Sequence, residues 1–318
     1  MHKVDTYASI SVVICSYADQ RRPDLRRAGA SVEAQLDERD ELILVIDHND
    51  ALLEWARAEF PRARVVVNGG RPGLSDARNT GVESARGDVV AFLDDDAVAA
   101  PGWMAGLRAA FATDDVAVAG TAVRPSWEGG HAPRWFPDEF GWVVGCSYRG
   151  LPEVKSRVRN PIGASMAVRR SVFAEVGGFS QAIGRVGTKP VGCEETEFCI
   201  RVAAHDPGHQ VVFDPLTAVD HYVPAARQTM RYFLSRCYHE GRSKRIVSLL
   251  QGAGAALSTE RRYVRITLPA AVLNGIAGAR RRPDGLLRAG VVLAGLGSTV
   301  AGYVVESLRR APLTQFRE

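Results

Sequence analysis

The stretch GLSDARNTGVESARGDVVAFLDDDA (residues 73–97) predicts a helix followed by a buried strand that ends in three consecutive carboxylates. Ser75 and Asp76 are suited to cap the helix, and Gly87 is suited to end it. The strand, residues 88–94, is apolar without polar alternation, which indicates that both faces of its sheet are covered. A helix leading into such a strand is the repeating unit of a doubly wound α/β fold.

The same alternation runs through the first two thirds of the chain. Short runs rich in valine and isoleucine are separated by helix-like stretches, which predicts an α/β fold with a mostly parallel sheet. Strands are predicted at 10–15, 41–47, 64–67, 88–94, 116–120, 164–168 and 210–213, and helices at 24–36, 50–59, 75–86, 102–112, 170–176 and 194–204.

Two parts of the chain depart from this alternation of strands and helices. Residues 125–160 are dense in glycine, proline and aromatic side chains, which predicts a long functional loop. Beyond residue 223 the strand patterns stop, so we divide the chain into an α/β domain (1–222) and a helical C-terminal region (223–318). Residues 289–305 carry no charge, but a membrane span needs about 20 apolar residues. We therefore expect a buried or membrane-surface helix there.

Composition and charge narrow the class of protein. The 318 residues are 46% hydrophobic and 24% charged, which is typical of a globular protein with a full core and excludes a disordered chain. The five cysteines include no C-x-x-C pair, so neither a zinc ribbon nor a disulfide framework is expected, and a cytoplasmic location is favoured. No signal peptide is recognised.

The charge is unevenly distributed along the chain. After His221 there are 16 lysines and arginines against 5 acidic residues, whereas the net charge of the whole chain is only +4. A basic tail on an acidic body favours contact with an anionic membrane, with a nucleic acid, or with the acidic body itself. No nucleic-acid-binding module is recognisable, so no nucleic acid partner is expected.

The three carboxylates Asp94, Asp95 and Asp96 lie at the carboxyl end of a predicted strand, where ligands bind in open α/β sheets. Adjacent carboxylates repel one another, and a divalent cation such as Mg²⁺ or Mn²⁺ compensates them best. The alternative for an isolated acidic run is a solvated turn that caps the next helix. Further polar residues at strand ends favour the metal site.

Those further residues come from three other motifs. ELILVIDHND (41–50) places Asp47 after another predicted strand, and Arg78 precedes the acidic run on its helix. GCEETEFCIRV (192–202) places Glu194 and Glu195 at the start of a later helix, where carboxylates are also common for dipole reasons. The first strand is not followed by G-x-G-x-x-G, which argues against a dinucleotide-dependent oxidoreductase.

With these motifs the chain resembles the family 2 glycosyltransferases, which have the GT-A fold. The resemblance covers about residues 10–222 and implies an inverting, metal-dependent transfer of a sugar from a nucleotide donor, most often a UDP-sugar, to a hydroxyl acceptor. The matching segments, in family order, are SVVICSY, LILVIDHND, GLSDARNTGVESARGDVVAFLDDDA, PGW, AVRRSVFAEVGGF, EETEFCIRV and VDHY.

The resemblance also implies roles for single residues of the donor site. Tyr17 should lie against the uracil ring and Asp47 should accept its ring N–H. Arg78 should lie near the nucleotide, and Asp95 should bind ribose. Further contacts to the diphosphate or the sugar are expected from Asp94, Glu194, Arg185 and Lys189; for the last two, the alternative is a pair of solvated loop charges.

The reacting centre needs a metal and a separate base. By the resemblance Asp96 should hold the Mn²⁺ or Mg²⁺ ion that bridges the diphosphate, and His221 should complete the metal shell. Glu195 matches the catalytic base. Sugar transfer independently requires a carboxylate that takes the acceptor proton and a means of neutralising the leaving diphosphate.

Departures from the family pattern support a rival hypothesis. Ala18 replaces an asparagine, His48 replaces a second acid, and the base motif is Glu-Glu instead of Glu-Asp. A catalytically inactive nucleotide-sugar-binding scaffold of the same fold is therefore the alternative.

The acceptor is less well defined by the sequence. Segments 135–150 and 184–201 resemble a bacterial subgroup that transfers glucuronic acid to polyprenyl-linked sugars, so a lipid-linked acceptor is one alternative and a small-molecule or natural-product acceptor another. The basic segment 232–245 either docks on an anionic membrane, at the cytoplasmic face, or packs on the acidic body. Trp127, Trp135 and Trp142 are candidates for a sugar-stacking platform or for loop packing.

Overall fold

The computed structural model describes residues 7–181, 192–256, 258–278 and 284–309. Its centre is a nine-stranded sheet with the order β3-β2-β1-β4-β8-β6-β9-β5, with β7 paired to β9. The strands are β1 (Ile10–Ser16), β2 (Glu41–Ile46), β3 (Arg64–Val67), β4 (Val89–Asp94), β5 (Ala97–Ala99), β6 (Val116–Trp127), β7 (Ser156–Arg157), β8 (Ser165–Arg169) and β9 (Gln210–Val223).

The first half of the sheet is parallel, as predicted. Strands β3, β2, β1 and β4 run in the same direction, so their carboxyl ends meet at one edge. In the second half β8 is antiparallel to β4 and β6, whereas β6 and β9 are parallel. The helices of this region are α1 (Arg22–Glu33), α2 (Asp50–Glu59), α3 (Leu74–Ser84), α4 (Trp103–Ala110), α5 (Arg170–Val176) and α6 (Glu194–His205).

Both faces of the sheet are buried, which explains why the strand sequences do not alternate. In β1, Val12 and Ile14 belong to one hydrophobic cluster and Val13 to another on the opposite face. Because successive strand residues point to opposite faces, a strand covered on both sides needs an apolar residue at every position. The predicted α/β fold is confirmed.

The C-terminal region is helical, as predicted. Side chains from it, including Phe233 and Val292, join the same hydrophobic cluster as Val12 and Ile14 of β1. Its elements are α7 (Met230–Gln251), α8 (Ala253–Ala256), α9 (Ser258–Arg262), a π-helical turn (Tyr263–Thr267), α10 (Leu268–Ala277) and α11 (Gly285–Leu308).

The basic segment 232–245 forms part of α7 and packs into the body. Arg236 and Lys244 are buried, and Lys244 Nζ lies 3.3 Å from Glu240 and 2.9 Å from Glu260. Both partners belong to the C-terminal region, so this lysine does not pair with the acidic body; the segment meets the α/β domain through apolar side chains such as Phe233 instead.

Helix α11 contains the uncharged run 289–305. Among the described residues it is the helix whose length and apolar composition suffice to cross a membrane, and 22% of its most apolar window is buried. The residues that it leaves exposed are considered below.

The prediction of a long loop over residues 125–160 is only partly correct. Strand β6 continues to Trp127, a 3₁₀ helix spans Asp138–Val144, and β7 follows at Ser156–Arg157. The helical turn forms because its apolar side chains, such as Phe140, pack into the main cluster. The high glycine and proline content of this stretch predicted a loop, and the 3₁₀ helix within it was therefore missed.

Candidate functional site

A cavity of about 1520 Å³ extends from the carboxyl ends of the parallel strands to the C-terminal helices. Tyr17 and Asp47 line it at the sheet edge, and Val264 and Val300 line it at the other end. The predicted donor, metal and base residues that the structure describes all line this one cavity. Arg185 and Lys189 lie outside the described residues.

The acidic run and His221 meet because β5 pairs with β9. Ala97 lies opposite His221 in this antiparallel pair, so the turn before β5 points Asp96 at the imidazole. His221 Nε2 lies 3.1 Å from Asp96 Oδ1. One ligand atom each from Asp94, Asp96 and His221 falls within 4.8 Å of the others.

This donor set fits a divalent cation. Asp94 and Asp96 offer carboxylate oxygens, which are hard ligands, and His221 offers an imidazole nitrogen. Mn²⁺ and Mg²⁺ both favour carboxylate oxygens, and imidazole is compatible with the softer transition metals.

Two arginines that the sequence reasoning missed flank the cluster. Arg21 Nη1 lies 2.5 Å from Asp96 Oδ2, and Arg227 Nη2 lies 3.6 Å from the same oxygen. Burial alone would raise the pKa of Asp96, but His221 and the two arginines hold that pKa well below its usual range. Arg21 comes four residues after the matched segment SVVICSY and Arg227 five residues after VDHY, so neither arginine belongs to a matched motif.

The pKa of His221 moves in the opposite direction. Burial lowers it, but the ion pair with Asp96 outweighs burial and raises the pKa of the imidazole to about 10. The protein's own charges therefore neutralise much of the acidic run.

Asp95 is buried beside the cluster and is bonded to the first strand. Ser16 Oγ donates a 2.6 Å hydrogen bond to Asp95 Oδ2, and Arg21 lies 3.6 Å from Oδ1. Burial and the neighbouring Asp96 raise the pKa of Asp95 to about 7. Its assignment to ribose stays a prediction.

Asp47 lies in a polar turn at the end of β2. Its carboxylate accepts hydrogen bonds from the Gly73 backbone N–H (2.9 Å) and from Asn68 Nδ2 (2.7 Å). His48 Nδ1 lies 2.7 Å from Asp47 Oδ1, and His48 has a positive φ of 53°. Tyr17 is 53% exposed at the same end of the cavity. The two residues predicted to contact the uracil ring of the donor therefore lie near one another.

Arg78 is buried and links two predicted site residues. Nη1 lies 3.0 Å from Glu194 and Nη2 lies 3.4 Å from Asp94. Its guanidinium also lies over the rings of Phe92 and Phe179, at 5.7 and 5.6 Å from their centroids. Although burial opposes the charged form, the carboxylates of Glu194 and Asp94 raise the pKa of Arg78.

Glu194 uses one of its two carboxylate oxygens within the protein. Arg78 binds its Oε1, while Oε2 is buried without a hydrogen-bond partner among the described residues. We therefore interpret Glu194 mainly as the partner that positions Arg78, and a sugar contact by Glu194 stays a prediction.

Glu195 lies in the first turn of α6 and lines the cavity, half-buried. Burial, together with the negative charges of Glu194 and Glu240, raises its pKa to about 7, against the opposing effect of Arg78. A carboxyl with this pKa is poised to accept a proton near neutral pH.

Aromatic side chains line the middle of the cavity. Trp142, Tyr148 and Tyr263 all contribute, and Trp142 Nε1 donates to the Tyr263 hydroxyl at 3.2 Å. Trp127 and Trp135 instead pack against Phe136. Of the three predicted tryptophans, Trp142 is therefore the one that this cavity offers to a ligand.

Comparison with known proteins identifies the family. Residues 11–177, which include the whole acidic run, match the family described as "Glycosyl transferase family 2". The chain belongs to glycosyl transferase family 2. It is thus a glycosyltransferase, as the sequence motifs predicted.

Two family relatives match over most of their length. The glucosyl-dolichyl phosphate glucuronosyltransferase of Haloferax volcanii is 37% identical over 246 residues, which cover 76% of this chain and 78% of the relative. The succinoglycan biosynthesis protein ExoM of Rhizobium meliloti is 28% identical over 243 residues, covering 74% and 73%.

Two solved glycosyltransferase structures share the fold. The mannosyltransferase PcManGT of Pyrobaculum calidifontis, in complex with GDP-Man and Mn²⁺, superposes with a TM-score of 0.58 at 17% identity, covering 93% of this chain and 88% of that one. GalNAc-T7 with UDP, GalNAc and Mn²⁺ gives a TM-score of 0.50 at 20% identity, covering 68% and 43%. These likenesses confirm the GT-A fold.

Proposed function

We propose that this family 2 glycosyltransferase moves a sugar from a nucleotide-sugar donor to a hydroxyl group of a lipid-linked acceptor, with inversion and with a divalent cation. The observation that carries the proposal is the meeting of the Asp94, Asp96 and His221 cluster with Glu195 in one cavity. A metal-binding group and a separate carboxyl base are the parts that this reaction needs.

The donor is proposed to bind at the sheet edge. Asp94, Asp96 and His221 would hold Mn²⁺ or Mg²⁺, which neutralises charge on a leaving diphosphate. Arg21 and Arg227 lie at the same cluster and add positive charge for the diphosphate. Because the Asp47 carboxylate can accept a ring N–H, we favour a UDP-sugar. The solved neighbours contain UDP in one case and GDP-Man in the other, so a GDP-sugar is the alternative donor to test.

Glu195 is proposed to act as the base. In a single displacement the acceptor hydroxyl oxygen attacks the anomeric carbon, the bond from that carbon to the diphosphate oxygen breaks, and the hydroxyl proton passes to Glu195. The nucleoside diphosphate leaves with the bonding electron pair. Attack from the face opposite the leaving group inverts the anomeric centre.

A lipid-linked acceptor is supported by the name of the Haloferax volcanii relative, which acts on a glucosyl-dolichyl phosphate. The aromatic middle of the cavity, with Trp142, Tyr148 and Tyr263, suits a sugar headgroup because sugars stack on aromatic faces. With such an acceptor, the enzyme would work at a membrane surface, and we place it at the cytoplasmic face.

The test separates binding from turnover. Thermal shifts with UDP, GDP and dTDP, each with Mn²⁺ and with a chelator, report nucleotide binding; a ligand at 100 times its Kd adds about 2.7 kcal/mol to stability. We expect a Mn²⁺-dependent shift with UDP that Asp96→Asn abolishes and Glu195→Gln retains. A shift with GDP alone would overturn the assignment of the donor.

Turnover is measured as UDP release from UDP-glucuronic acid and other UDP-sugars, with glucosyl-dolichyl phosphate in detergent as the first acceptor. Glu195→Gln should abolish release, whereas Glu197→Gln, whose carboxylate is bound by Arg201 away from the cavity, should not. Full activity in Glu195→Gln would disprove the base assignment. Metal-dependent nucleotide binding without turnover across donors and acceptors would favour the inactive scaffold.

A further inference from the structure

The exposed side of α11 is apolar along its whole length. Its exposed positions carry leucine, valine, alanine and glycine, with Ser307 as the one polar residue among them. Leu286, Leu293, Val300 and Leu308 are between 52% and 77% exposed. At 1.5 Å per residue this face is about 36 Å long. An apolar surface of this extent marks an interaction site.

Helix α10 widens the same surface. The backbones of Gly275 and Gly285 approach closely, so α10 and α11 form a hairpin. Ile266, Leu273 and Ile276, in and just before α10, are 60%, 66% and 54% exposed. We call the exposed apolar side chains of these two helices and the preceding turn the hairpin face.

Helix α11 is fastened to the body, which argues against a membrane span. A Cβ on Gly302 would lie 1.9 Å from the carbonyl oxygen of Tyr238 in α7, so the two backbones are in direct contact. Near its end, Glu306 is bound by Arg242 of α7 at 2.7 Å. A spanning arrangement would break this contact along the helix, whereas an in-plane arrangement keeps it.

The charge around the hairpin face complements an anionic surface. The described residues of 258–309 include five arginines and three acidic residues. Each acidic residue is already paired within the protein: Glu260 with a lysine, and Asp284 and Glu306 with arginines. Exposed arginines such as Arg265 remain next to the apolar side chains, as in segments that bind anionic lipids.

The cavity and the hairpin face share two residues. Val264 and Val300 line the cavity, and they are also 40% and 52% exposed. A ligand at these two residues would keep an apolar chain against the hairpin face while its headgroup reaches past Tyr263 toward Glu195.

We propose that the hairpin face docks on an anionic membrane surface, with α10 and α11 in the plane of the interface and the cavity mouth facing lipid. A lipid-linked acceptor would then enter from the side of the membrane without leaving it. This acceptor route rests on the proposed function, whereas the docking itself does not.

Docking is tested by flotation of the full-length chain with vesicles. We expect binding to vesicles of phosphatidylcholine mixed with phosphatidylglycerol, weaker binding to phosphatidylcholine alone, and weakening by salt. The double variant Leu293→Asp/Val304→Asp should bind more weakly by about tenfold or more, because it puts two charges on the face. The matched control is Leu216→Asp/Val154→Asp, which changes two exposed apolar residues elsewhere and should bind like the wild type.

Orientation is tested with an added fluorophore. Vesicles that contain brominated phosphatidylcholine should quench the added tryptophan of Val300→Trp, but not that of Leu216→Trp. Equal flotation of the wild type and the Leu293→Asp/Val304→Asp variant, or no quenching at position 300, would overturn the proposal. If the protein were extracted from vesicles by detergent but not by alkaline carbonate, it would span the membrane, which would also overturn the proposal. Formation of a dimer without binding to vesicles would overturn it as well. None of these readouts involves sugar transfer, so a failure of the proposed function would not be mistaken for a failure of docking.

Discussion

The pKa of Glu195, raised to about 7, predicts how the activity depends on pH. In the proposed role of base Glu195 must be ionised, so kcat/KM should rise as the pH rises through about 7. Glu194→Gln removes a neighbouring negative charge and leaves Arg78 less neutralised, and both changes lower the pKa of Glu195, while Glu240 is unchanged. The rise should therefore move to lower pH by about one unit.

The measurement is the pH profile of kcat/KM with saturating metal. Glu197→Gln is the control, because Arg201 and Gln251 bind its carboxylate and it does not line the cavity. A profile that shifts equally in both variants, or that shifts upward in Glu194→Gln, would contradict the proposed role of Glu194.

Arg227 offers a second prediction at the scale of one residue. If it adds positive charge for the diphosphate, Arg227→Gln should weaken UDP binding by about tenfold while leaving uridine binding nearly unchanged. Calorimetry with UDP and with uridine measures the difference. Arg124→Gln is the control, since Arg124 of β6 pairs with Asp220 of β9, next to His221, but does not line the cavity. Equal losses for UDP and uridine would count against a diphosphate contact.

Residue identities were predictable where a motif fixed them. The acidic run was singled out by its position at a strand end, and His221 was assigned to the same site by the family resemblance; the structure brings the two together. Arg21 and Arg227 were missed because an ion pair across separate elements leaves no spacing signal in one sequence. The helix that carries Arg78 was predicted, but the contact of its guanidinium with the rings of Phe92 and Phe179 was not.

Among the helices, the close contact of α7 with α11 leads us to predict that a side chain at this contact destabilises the protein. A Cβ at Gly302 would meet the Tyr238 carbonyl oxygen at 1.9 Å, and backbone cannot move aside as a side chain can. Gly302→Ala should therefore lower the free energy of unfolding by about 1–3 kcal/mol. Urea denaturation measures the change.

Gly297 is the matched control in the same helix. An added Cβ there meets nothing within 4 Å. Because alanine favours a helix over glycine, Gly297→Ala should raise the free energy of unfolding by about 0.5–1 kcal/mol. If both substitutions stabilised the protein, the close packing of α7 on α11 would be disproved.

For helices with a clear hydrophobic period, the predicted boundaries agree with the observed ones: α2 and α5 match their predicted ranges. Strand β9 was predicted to stop at residue 213 but continues to Val223. It crosses Pro215 at an irregularity where the register with β6 shifts between Thr121 and Ala122. A proline is tolerated at such a bulge, so the sequence pattern ended before the strand did.

For the whole molecule, the shared hydrophobic cluster predicts how a truncated chain behaves. Phe233 and Val292 from the C-terminal region pack in the cluster that also contains Val12 of β1. A chain ending at Val223 would expose this surface, so we expect it to lose cooperative unfolding in urea. Cooperative unfolding and unchanged nucleotide binding in that truncated chain would show that the domain proposed for 1–222 folds alone.

The α/β architecture could be predicted because buried parallel strands leave a strong pattern. The way the C-terminal helices close the cavity could not, since it depends on which faces of α7, α10 and α11 meet. The division at residues 222 and 223 stays a prediction. Whether the cation is Mn²⁺ or Mg²⁺ is also beyond sequence, because carboxylate and imidazole ligands suit both.

The backbone contact between α7 and α11 also bears on which acceptors are used. Gly241 of α7 lines the cavity together with Thr299 and Tyr303 of α11. A Cβ on Gly241 would lie 1.9 Å from the Thr299 carbonyl oxygen and 2.8 Å from the Tyr303 backbone nitrogen, so any side chain there must push the helices apart. On the proposed acceptor route, the spacing of the two helices would set the width of the cavity beside these residues. Divergence at this glycine would let related enzymes exchange narrow acceptors for broad ones while every residue at the reacting centre stayed the same.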